Sequence, residues 1–339
     1  MKLSQSCSKH LMILISFIFT VHCGSQQSSE QSSLKFGTAS QQFGPTYTTT
    51  NSKLYTQMFD RLETWGLPLT SAGQSADVDH PYYYGTYDCD TKSSAWVQHI
   101  LDKNYIVPKP NTEGKNFSFN KDSKLPTLCQ ASSQDYNNSG YDRGHLAPAR
   151  DFAGHGPKAV EQSFLMSNIS PQVGIGFNRH LWALLERSVR DWAEVRGQVI
   201  VLSGPIYDEK KKETFGKNSV LVPDSFYKIV VDISDLDSPE ALAFVMKNID
   251  HRYVDYPNSK VNPKCQDDTS KKPAKICERD NLINIERHRV SIDTIEQLTG
   301  LDFFPDMPSA TQNTLEEAEK ILWDYSQYFA YDSDSSSFD

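Results

Sequence analysis

The chain has 339 residues, and 38% of them are hydrophobic, which is enough for a real core and excludes a protein too polar to bury one. Its formal net charge of −9 is concentrated at the C-terminal end, where 302–339 contains nine acidic residues and one lysine. The rest of the chain is therefore close to neutral and can carry a local basic groove, so the net charge does not exclude an anionic partner.

The first 23 residues have the features of a targeting segment. Lys2 and Lys9 precede eleven mostly apolar residues, 11–21, a run that is too short to span a bilayer comfortably but fits a signal-peptide core. We predict a leader over 1–23 and a secreted protein with no membrane association. A lipoprotein anchor on Cys23 and an uncleaved anchor are the alternatives. The polar stretch 24–52, rich in serine, glutamine and threonine, predicts a flexible linker.

The length allows one large domain or two, and the region 309–339 is predicted to contain a last helix and an acidic disordered tail. Helical spacing predicts helices over 55–65, 181–195 (ended by Gly197), 291–298 (capped by Ser291) and 314–328. Extended apolar runs predict strands near 82–85, 95–101, 199–204, 227–232 and 242–246.

Four cysteines follow the leader, and an even number in a secreted chain favours disulfides. Cys265 and Cys277 flank a polar run typical of a surface loop, so we predict that they pair and that Cys89 pairs with Cys129. A zinc site is the alternative, although no CxxC or paired Cys/His spacing supports it.

The stretch 141–151, Tyr-Asp-Arg-Gly-His-Leu-Ala-Pro-Ala-Arg-Asp, has the densest set of ionisable groups. It lacks apolar periodicity, which favours a constrained functional loop over a core strand. His145 can take a proton from water near neutral pH, and the planar fork of Arg143 suits a phosphate. Gly144 allows a tight turn or close approach to a ligand. For these residues alone, a surface turn with a solvated histidine is the simpler interpretation.

Further blocks follow in order: SFLMSNISPQ at 163–172, FNRHLWALLE at 177–186 and LSGPIY at 202–207. Together with DRGH, they resemble the DNA/RNA non-specific endonuclease family, whose active site is a ββα-metal (His-Me) finger. The resemblance extends over roughly 94–308 and implies one nuclease domain over 53–308. It implies an α+β fold, with a mixed or antiparallel sheet core, flanking helices and an inset ββα-metal finger.

The resemblance also assigns roles to Asn178 and Glu186, at the start of and within the predicted helix that ends at 195. Asn178 would be the metal ligand, although an asparagine at a helix start is commonly just an N-cap. Mg²⁺ accepts an amide oxygen, and Mn²⁺ is an alternative. Glu186 would reach a metal-bound water, although a carboxylate on a helix surface is more often merely solvated.

Other residues would support the site or bind the substrate. Arg143 and Arg179 would contact phosphates, with an ion pair to Asp142 as the alternative for Arg143. Asp142 and Asn168 are predicted to support the site. Lys115 stands where many relatives carry a phosphate-binding arginine, and a lysine keeps the charge but loses the bidentate fork.

We therefore predict a secreted, Mg²⁺-dependent endonuclease that cleaves DNA and/or RNA with little sequence preference, with His145 as general base. One alternative is an inactive relative that binds nucleic acid or a partner. The presence of both His145 and Asn178 argues against it, since a decayed site commonly loses one of them. The other alternative is a phosphodiesterase of small substrates.

Overall fold

A seven-stranded sheet forms the centre of the fold. The computed structural model describes residues 65–69, 74–107, 117–208, 210–251, 285–317 and 323, all within the unit Pro45–Asp339. The strands are β1 (Ser75–Asp79), β2 (Tyr83–Asp88), β3 (Ser93–Asp102), β4 (Tyr141–His145), β5 (Ile169–Val173), β6 (Gln198–Ile206), β7 (Thr214–Phe215), β8 (Val220–Leu221), β9 (Ser225–Asp232), β10 (Glu240–Lys247) and β11 (Arg289–Val290). The large sheet has the order β1-β2-β3-β6-β9-β10-β11 and is antiparallel throughout, which confirms the predicted α+β fold with an antiparallel core.

Helices flank this sheet. They are α1 (Pro157–Ser163), α2 (Ala183–Arg196), α3 (Ile292–Thr299) and α4 (Ser309–Glu316), with short 3₁₀ turns at Lys103–Tyr105, Ser133–Tyr136, Ala149–His155 and Met166–Asn168. Helix α2 confirms the predicted amphipathic helix and ends at Gly197, whose φ of 93° favours glycine. Ser291 caps α3 as predicted, because its side chain accepts a hydrogen bond from the Thr294 backbone N–H. Helix α4 begins five residues before the predicted start of the last helix at residue 314.

The sheet separates two apolar layers, because successive strand residues point to opposite faces. We call one side the α2 face, where strand residues such as Val97, Val201 and Val230 pack in one cluster with Leu185 and Trp192 of α2. The other side is the α3 face, where strand residues pack in a second cluster with side chains of α3, α4 and the intervening loop; these residues include Trp96, Ile100, Ile229, Ile292, Phe303 and Leu315. Both layers are buried, so the central strands have few solvent-facing positions.

A separate hairpin, β4–β5, contains the DRGH motif, so the predicted loop conformation is wrong for 141–145, which form a strand. Residues 141–145 pair antiparallel with 173–169. A two-stranded ribbon needs no continuous apolar face, so ionisable side chains are tolerated in it and the usual strand pattern is absent. Gly144 serves the pairing rather than a turn or a ligand, since a Cβ there would collide with the Gln172 side chain.

Cys89 and Cys129 form a disulfide with their Cα atoms 4.6 Å apart, as predicted. Several other predictions lie outside the described residues: the leader, the linker, the helix over 55–65 apart from Trp65, Lys115, the Cys265–Cys277 pair, most of the last helix and the tail. Within the described part of the chain, no helix has the length and apolar character required to cross a membrane.

Candidate active site

Strand β4 presents the motif residues on two sides. Because neighbouring strand residues alternate, Arg143 and His145 share one side of the ribbon, and Asp142 projects from the other. The ring of Phe119 lies beside both members of the first group, with its centroid 5.5 Å from Cζ of Arg143 and 5.7 Å from the imidazole centroid of His145. The hairpin therefore holds a permanent cation and an imidazole next to each other.

His145 is largely enclosed by aromatic rings. Phe164 meets its ring edge-on, with the centroids 4.9 Å apart, and Nε2 is buried with no hydrogen-bond partner in the described structure. Burial lowers the pKa of His145 to about 4. The imidazole is therefore neutral at neutral pH, which is the form that accepts a proton.

Asn178 lies across from Asp142 in the segment Gly174–Trp182, which runs from β5 into α2 and has non-helical backbone at Ile175 and Gly176. Its Nδ2 donates to Oδ2 of Asp142 at 2.9 Å. An ionised carboxylate only accepts hydrogen bonds, so this contact fixes which end of the amide is nitrogen and turns Oδ1 away from Asp142. The amide donates here rather than accepting from a backbone N–H, so the N-cap interpretation of Asn178 is wrong.

Asp142 also accepts two hydrogen bonds from Arg179, Nη2 to Oδ1 at 2.6 Å and Nε to Oδ2 at 2.8 Å. Although burial alone would raise the pKa of the Asp142 carboxyl, the hydrogen bonds from Arg179 and Asn178 lower it below its usual value. Gly174 leaves room for this carboxylate, because a Cβ there would lie 2.8 Å from Oδ2. Asp142 thus links the hairpin to the helical segment.

The alternative ion pair between Arg143 and Asp142 is not formed. Arg143 instead donates from Nη2 to the Ser133 carbonyl at 2.5 Å and to Oδ1 of Asn137 at 2.9 Å. Its Cζ also lies 5.5 Å from the ring centroid of Tyr136. Among the described residues Arg143 has no carboxylate partner, so its positive charge is held in place without being neutralised.

Asn168 is fully buried directly before β5. Its Oδ1 accepts from the Ala147 backbone N–H at 2.9 Å, and its Nδ2 donates to the carbonyls of Ala147 at 2.8 Å and Ser163 at 2.9 Å. These bonds tie the segment that follows His145 to the end of α1.

Glu186 is half-buried rather than solvated on the helix surface. Burial raises its pKa to about 7, while the charges of Lys228 and Arg190 lower that pKa. Arg190 pairs with Asp151 at 2.8 Å, and Asp151 also contacts Nε2 of His99 at 2.9 Å. Glu186 is therefore coupled electrostatically to a largely buried charged group; we call Glu186, Lys228, Arg190, Asp151 and His99 the buried network.

Comparison with known proteins identifies the family to which this chain belongs. The sequence model of the DNA/RNA non-specific endonuclease family matches residues 67–310. The chain belongs to the DNA/RNA non-specific endonuclease family. It is accordingly a nucleic-acid-hydrolysing enzyme, and the predicted family is confirmed.

Individual relatives agree with the family match. The chain is similar to Nuclease C1 of Cunninghamella echinulata var. echinulata, at 29% identity over 70% of this chain and 86% of that protein. It is also similar to the mitochondrial nuclease of Saccharomyces cerevisiae, at 29% identity over 69% of this chain and 67% of that protein. Its fold is similar to a solved chain from the EndoG/EndoGI complex, with a TM-score of 0.59, 25% identity and coverage of 78% of this chain and 96% of that one.

The same comparisons contradict the prediction of a secreted protein. Relatives whose names give a location, from yeasts, Caenorhabditis elegans and human, are mitochondrial nucleases. The prediction rested on a short apolar run behind lysines and on cysteine number, and positively charged leaders are shared by more than one targeting route.

The family depends on a divalent metal, and the donor set fits one. The Oδ1 of Asn178 accepts no hydrogen bond from the described residues, and an amide oxygen is a hard donor that suits Mg²⁺. A second group of acidic side chains, Asp293, Glu296 and Glu316, lies on α3 and α4, with one carboxylate oxygen of each within 4.8 Å of the others. It belongs to helices of the α3 face, so it is not the donor set that the motif predicts.

Four members of the buried network have no role assigned from the sequence alone. Asp151 ends the DRGH stretch, and Arg190 follows Glu186 by one helical turn. His99 and Lys228 interrupt strands that are otherwise apolar. An ionisable residue within a buried-strand pattern was the available signal, because such a group is seldom buried without a partner.

Proposed function

We propose that the enzyme hydrolyses phosphodiester bonds within DNA and/or RNA with little sequence preference, and that Mg²⁺ is its metal. The observation that carries this proposal is the hydrogen bond from Nδ2 of Asn178 to Asp142, which presents Oδ1 as a ligand beside the DRGH hairpin. Arg143 on this hairpin and Arg179 on the following segment would bind phosphates, and phosphate contacts carry no base sequence information.

His145 is proposed as the general base. Its pKa of about 4 keeps the ring neutral at physiological pH, and the apolar enclosure by Phe119 and Phe164 fixes its orientation. A positioned imidazole contributes roughly 10²–10⁴-fold to the rate of proton transfer. Its job here is to remove a proton from the attacking water.

Asn178 is proposed as the residue that holds Mg²⁺, with Asp142 fixing the amide and Glu186 taking part through ordered water. When bound, the metal supplies Lewis-acid stabilisation of charge on the phosphate oxygens. Because the contact with Asp142 already orients the side chain, Asn178 needs little rearrangement to act as a ligand.

Arg143 and Arg179 are proposed to bind phosphate, with Asn168 supporting the site. Arg143 is held by Ser133 and Asn137 and has no carboxylate partner in the described region, so its charge can stabilise the transition state. Arg179 has a side chain that is 61% exposed even though it pairs with Asp142, so it can exchange part of that pair for a phosphate. Lys115 is retained as a third phosphate contact because of its place in the sequence.

Incubation of purified protein with supercoiled plasmid and with RNA, with and without EDTA, tests the proposal. We expect cleavage of at least one polymer that EDTA abolishes and Mg²⁺ restores. A short dinucleotide should be a far poorer substrate than a long duplex. Preferential cleavage of the dinucleotide would favour the small-substrate phosphodiesterase, and binding without cleavage would favour the inactive relative.

We also propose the division of the chain into a leader over 1–23, a linker over 24–52, a nuclease domain over 53–308 and a C-terminal region over 309–339. The family match over 67–310 supports the placement of the nuclease domain. Limited proteolysis with mass spectrometry of the fragments tests these boundaries, since linkers are cut before packed domains.

A further inference from the structure

Lys228 is a lysine in the middle of β9 that reaches no solvent, with only 1% of its surface exposed. Its ammonium group donates to Oγ of Ser203 at 2.5 Å, and Ser203 is its direct partner on β6 in the strand register. The same nitrogen lies 4.6 Å from the ring centroid of Trp182. The sheet therefore fixes a positive charge against the start of α2.

Trp182 lies directly before α2, between the proposed metal ligand and Glu186. Asn178, Trp182 and Glu186 follow one another at intervals of four residues, so they lie on successive turns along one side. Lys228 meets this row at its centre, one turn from the proposed metal ligand and one turn from Glu186. A cation against the face of a buried tryptophan is attractive, and a ring held in this way fixes the turns on either side of it.

The charges around Glu186 show why a cation is needed there. Asp151 is already engaged by Arg190 and by His99. Burial lowers the pKa of Lys228 to about 8, and the nearby charge of Glu186 opposes that change. A carboxylate that is partly removed from water is stabilised by nearby cations, and the charges of Lys228 and Arg190 favour the ionised form of Glu186.

We propose that Lys228 is a positioning residue for the nuclease reaction: it anchors the Asn178–Trp182–Glu186 row to the sheet and balances the charge of Glu186. The inference rests on the proposed roles of Asn178 and Glu186. Lys228 touches neither substrate nor metal in this scheme, so its effect on catalysis is transmitted through Trp182 and Glu186.

The decisive variant is Lys228→Met, which keeps the length and apolar stem of the side chain but removes its charge. We expect its rate of plasmid cleavage at pH 7 to fall at least about tenfold, and the acid limb of its pH profile to move to higher pH, because an uncompensated Glu186 holds its proton more tightly. The groups that act on Glu186 also contribute to this profile: Arg190 on α2 and Asp151 after the motif, with His99 on β3 acting through Asp151. Lys228→Arg should retain most of the activity and the wild-type profile.

Tyr227→Phe is the matched control. Tyr227 precedes Lys228 on the same strand and is equally buried, but it points to the α3 face, where its hydroxyl donates to the Ala95 carbonyl at 3.1 Å. It measures the cost of removing a buried polar group from β9 without touching the row. We expect the control to leave the pH profile and the Mg²⁺ requirement unchanged.

A double-mutant cycle with Glu186→Gln separates charge balance from general packing. If Lys228 acts through Glu186, Lys228→Met should change the pH profile of wild-type protein but not that of the Glu186→Gln protein. If Lys228→Met does not fold, Lys228→Met/Glu186→Gln should recover folding, because both buried charges are then gone. An unshifted profile for Lys228→Met, equal effects in both backgrounds, or no recovery of folding would each overturn the inference.

The proposed function can fail independently of this inference. If wild-type protein does not cleave plasmid or RNA, or if His145→Ala retains full activity, the proposed function is wrong. If wild-type protein cleaves, His145→Ala does not, and Lys228→Met behaves like Tyr227→Phe, only the positioning role of Lys228 is wrong.

Discussion

The two faces of the central sheet are equally well buried but chemically different. On the α3 face, strand residues such as Ile100, Ile229 and Val231 pack against apolar side chains of α3 and the following loop. On the α2 face, apolar residues alternate with His99 and Lys228, which meet charged groups of α2 and the segment after the motif. The α3 face stabilises the fold, whereas the α2 face also places the site.

The two faces also differ in how their buried side chains contribute to stability. A buried charge contributes little net stability, because the cost of removing it from water offsets most of the attraction to its partner. The buried network therefore cannot be explained as a source of stability. Its value lies in geometry, since a hydrogen-bonded charge fixes the position of its neighbours more tightly than apolar packing does.

The largest expected effect on catalysis comes from His145→Ala. It should lower the rate of plasmid cleavage by about 10²–10⁴-fold while leaving the affinity for Mg²⁺ nearly unchanged, because the base is not a metal ligand. Initial cleavage rates over a range of Mg²⁺ concentrations measure both quantities. His155→Ala is the control: this histidine stacks on Tyr105 with centroids 4.1 Å apart and has no assigned role in the reaction. Near-normal turnover of His145→Ala would contradict the mechanism.

The largest expected effect on stability lies on the other face. Ile229 is fully buried there, and Ile229→Ala should cost roughly 2–5 kcal/mol of unfolding free energy through lost burial and a residual cavity. Chemical denaturation measures the loss. Cleavage by the folded fraction should remain close to wild type, because the substitution touches nothing on the α2 face. A large loss of specific activity at low temperature would show that the two faces are not separable in this way.

Asn178→Ala and Arg143→Ala should separate the metal-binding role of Asn178 from the phosphate-binding role of Arg143. Asn178→Ala should raise the Mg²⁺ concentration that gives half-maximal activity, and added metal should recover part of the rate. Arg143→Ala should raise KM and the sensitivity to salt without changing the metal requirement, because a phosphate contact is lost. Cleavage assays over a grid of Mg²⁺ and NaCl concentrations distinguish the two. Equal shifts in metal dependence would show that the assigned roles are wrong.

The sequence predicts the parts of this protein that depend on local pattern or on a contiguous motif. The apolar run in β9 and the helical spacing in α2 predict a strand and a helix close to those observed. The DRGH block and Asn178 identify the family, which the match over 67–310 confirms. These elements and motifs can be predicted without the tertiary structure, because each depends on residues that are close together in the sequence.

Pairings across the fold could not be predicted in the same way. Asp142 pairs with Arg179, which is distant in sequence, rather than with adjacent Arg143, because alternation along β4 points neighbouring side chains apart. The charges of Glu186 and Lys228 influence each other only because α2 packs on the sheet. Periodicity alone assigns the charged positions of an amphipathic helix to solvent. This assignment is wrong where charged side chains of the helix pack near other charged groups inside the protein.

The smallest effect is expected for Asp142→Asn, and it tests whether the link between the hairpin and the helix matters more for geometry than for stability. Arg179 is largely exposed, so its ion pair with Asp142 should contribute no more than about 1 kcal/mol. The pKa of Asp142 is lower in the folded protein than its usual value. The stability contributed by the ionised Asp142 carboxylate is therefore fully present above the pKa of the unfolded chain, about 4. It is lost as the pH falls through the lower pKa of the folded protein.

Denaturation midpoints measured from pH 7 to pH 3 should show Asp142→Asn slightly below wild type at pH 7, with the gap closing as the solution becomes acidic. Asp135→Asn is the matched control, because the pKa of Asp135 is also lowered and its carboxylate also accepts from an asparagine, Asn218, at 2.7 Å. Both variants should show the same pH trend in stability. Only Asp142→Asn should raise the Mg²⁺ requirement, since it alone loosens the amide of Asn178. If both variants or neither raised that requirement, Asp142 would not be what orients Asn178.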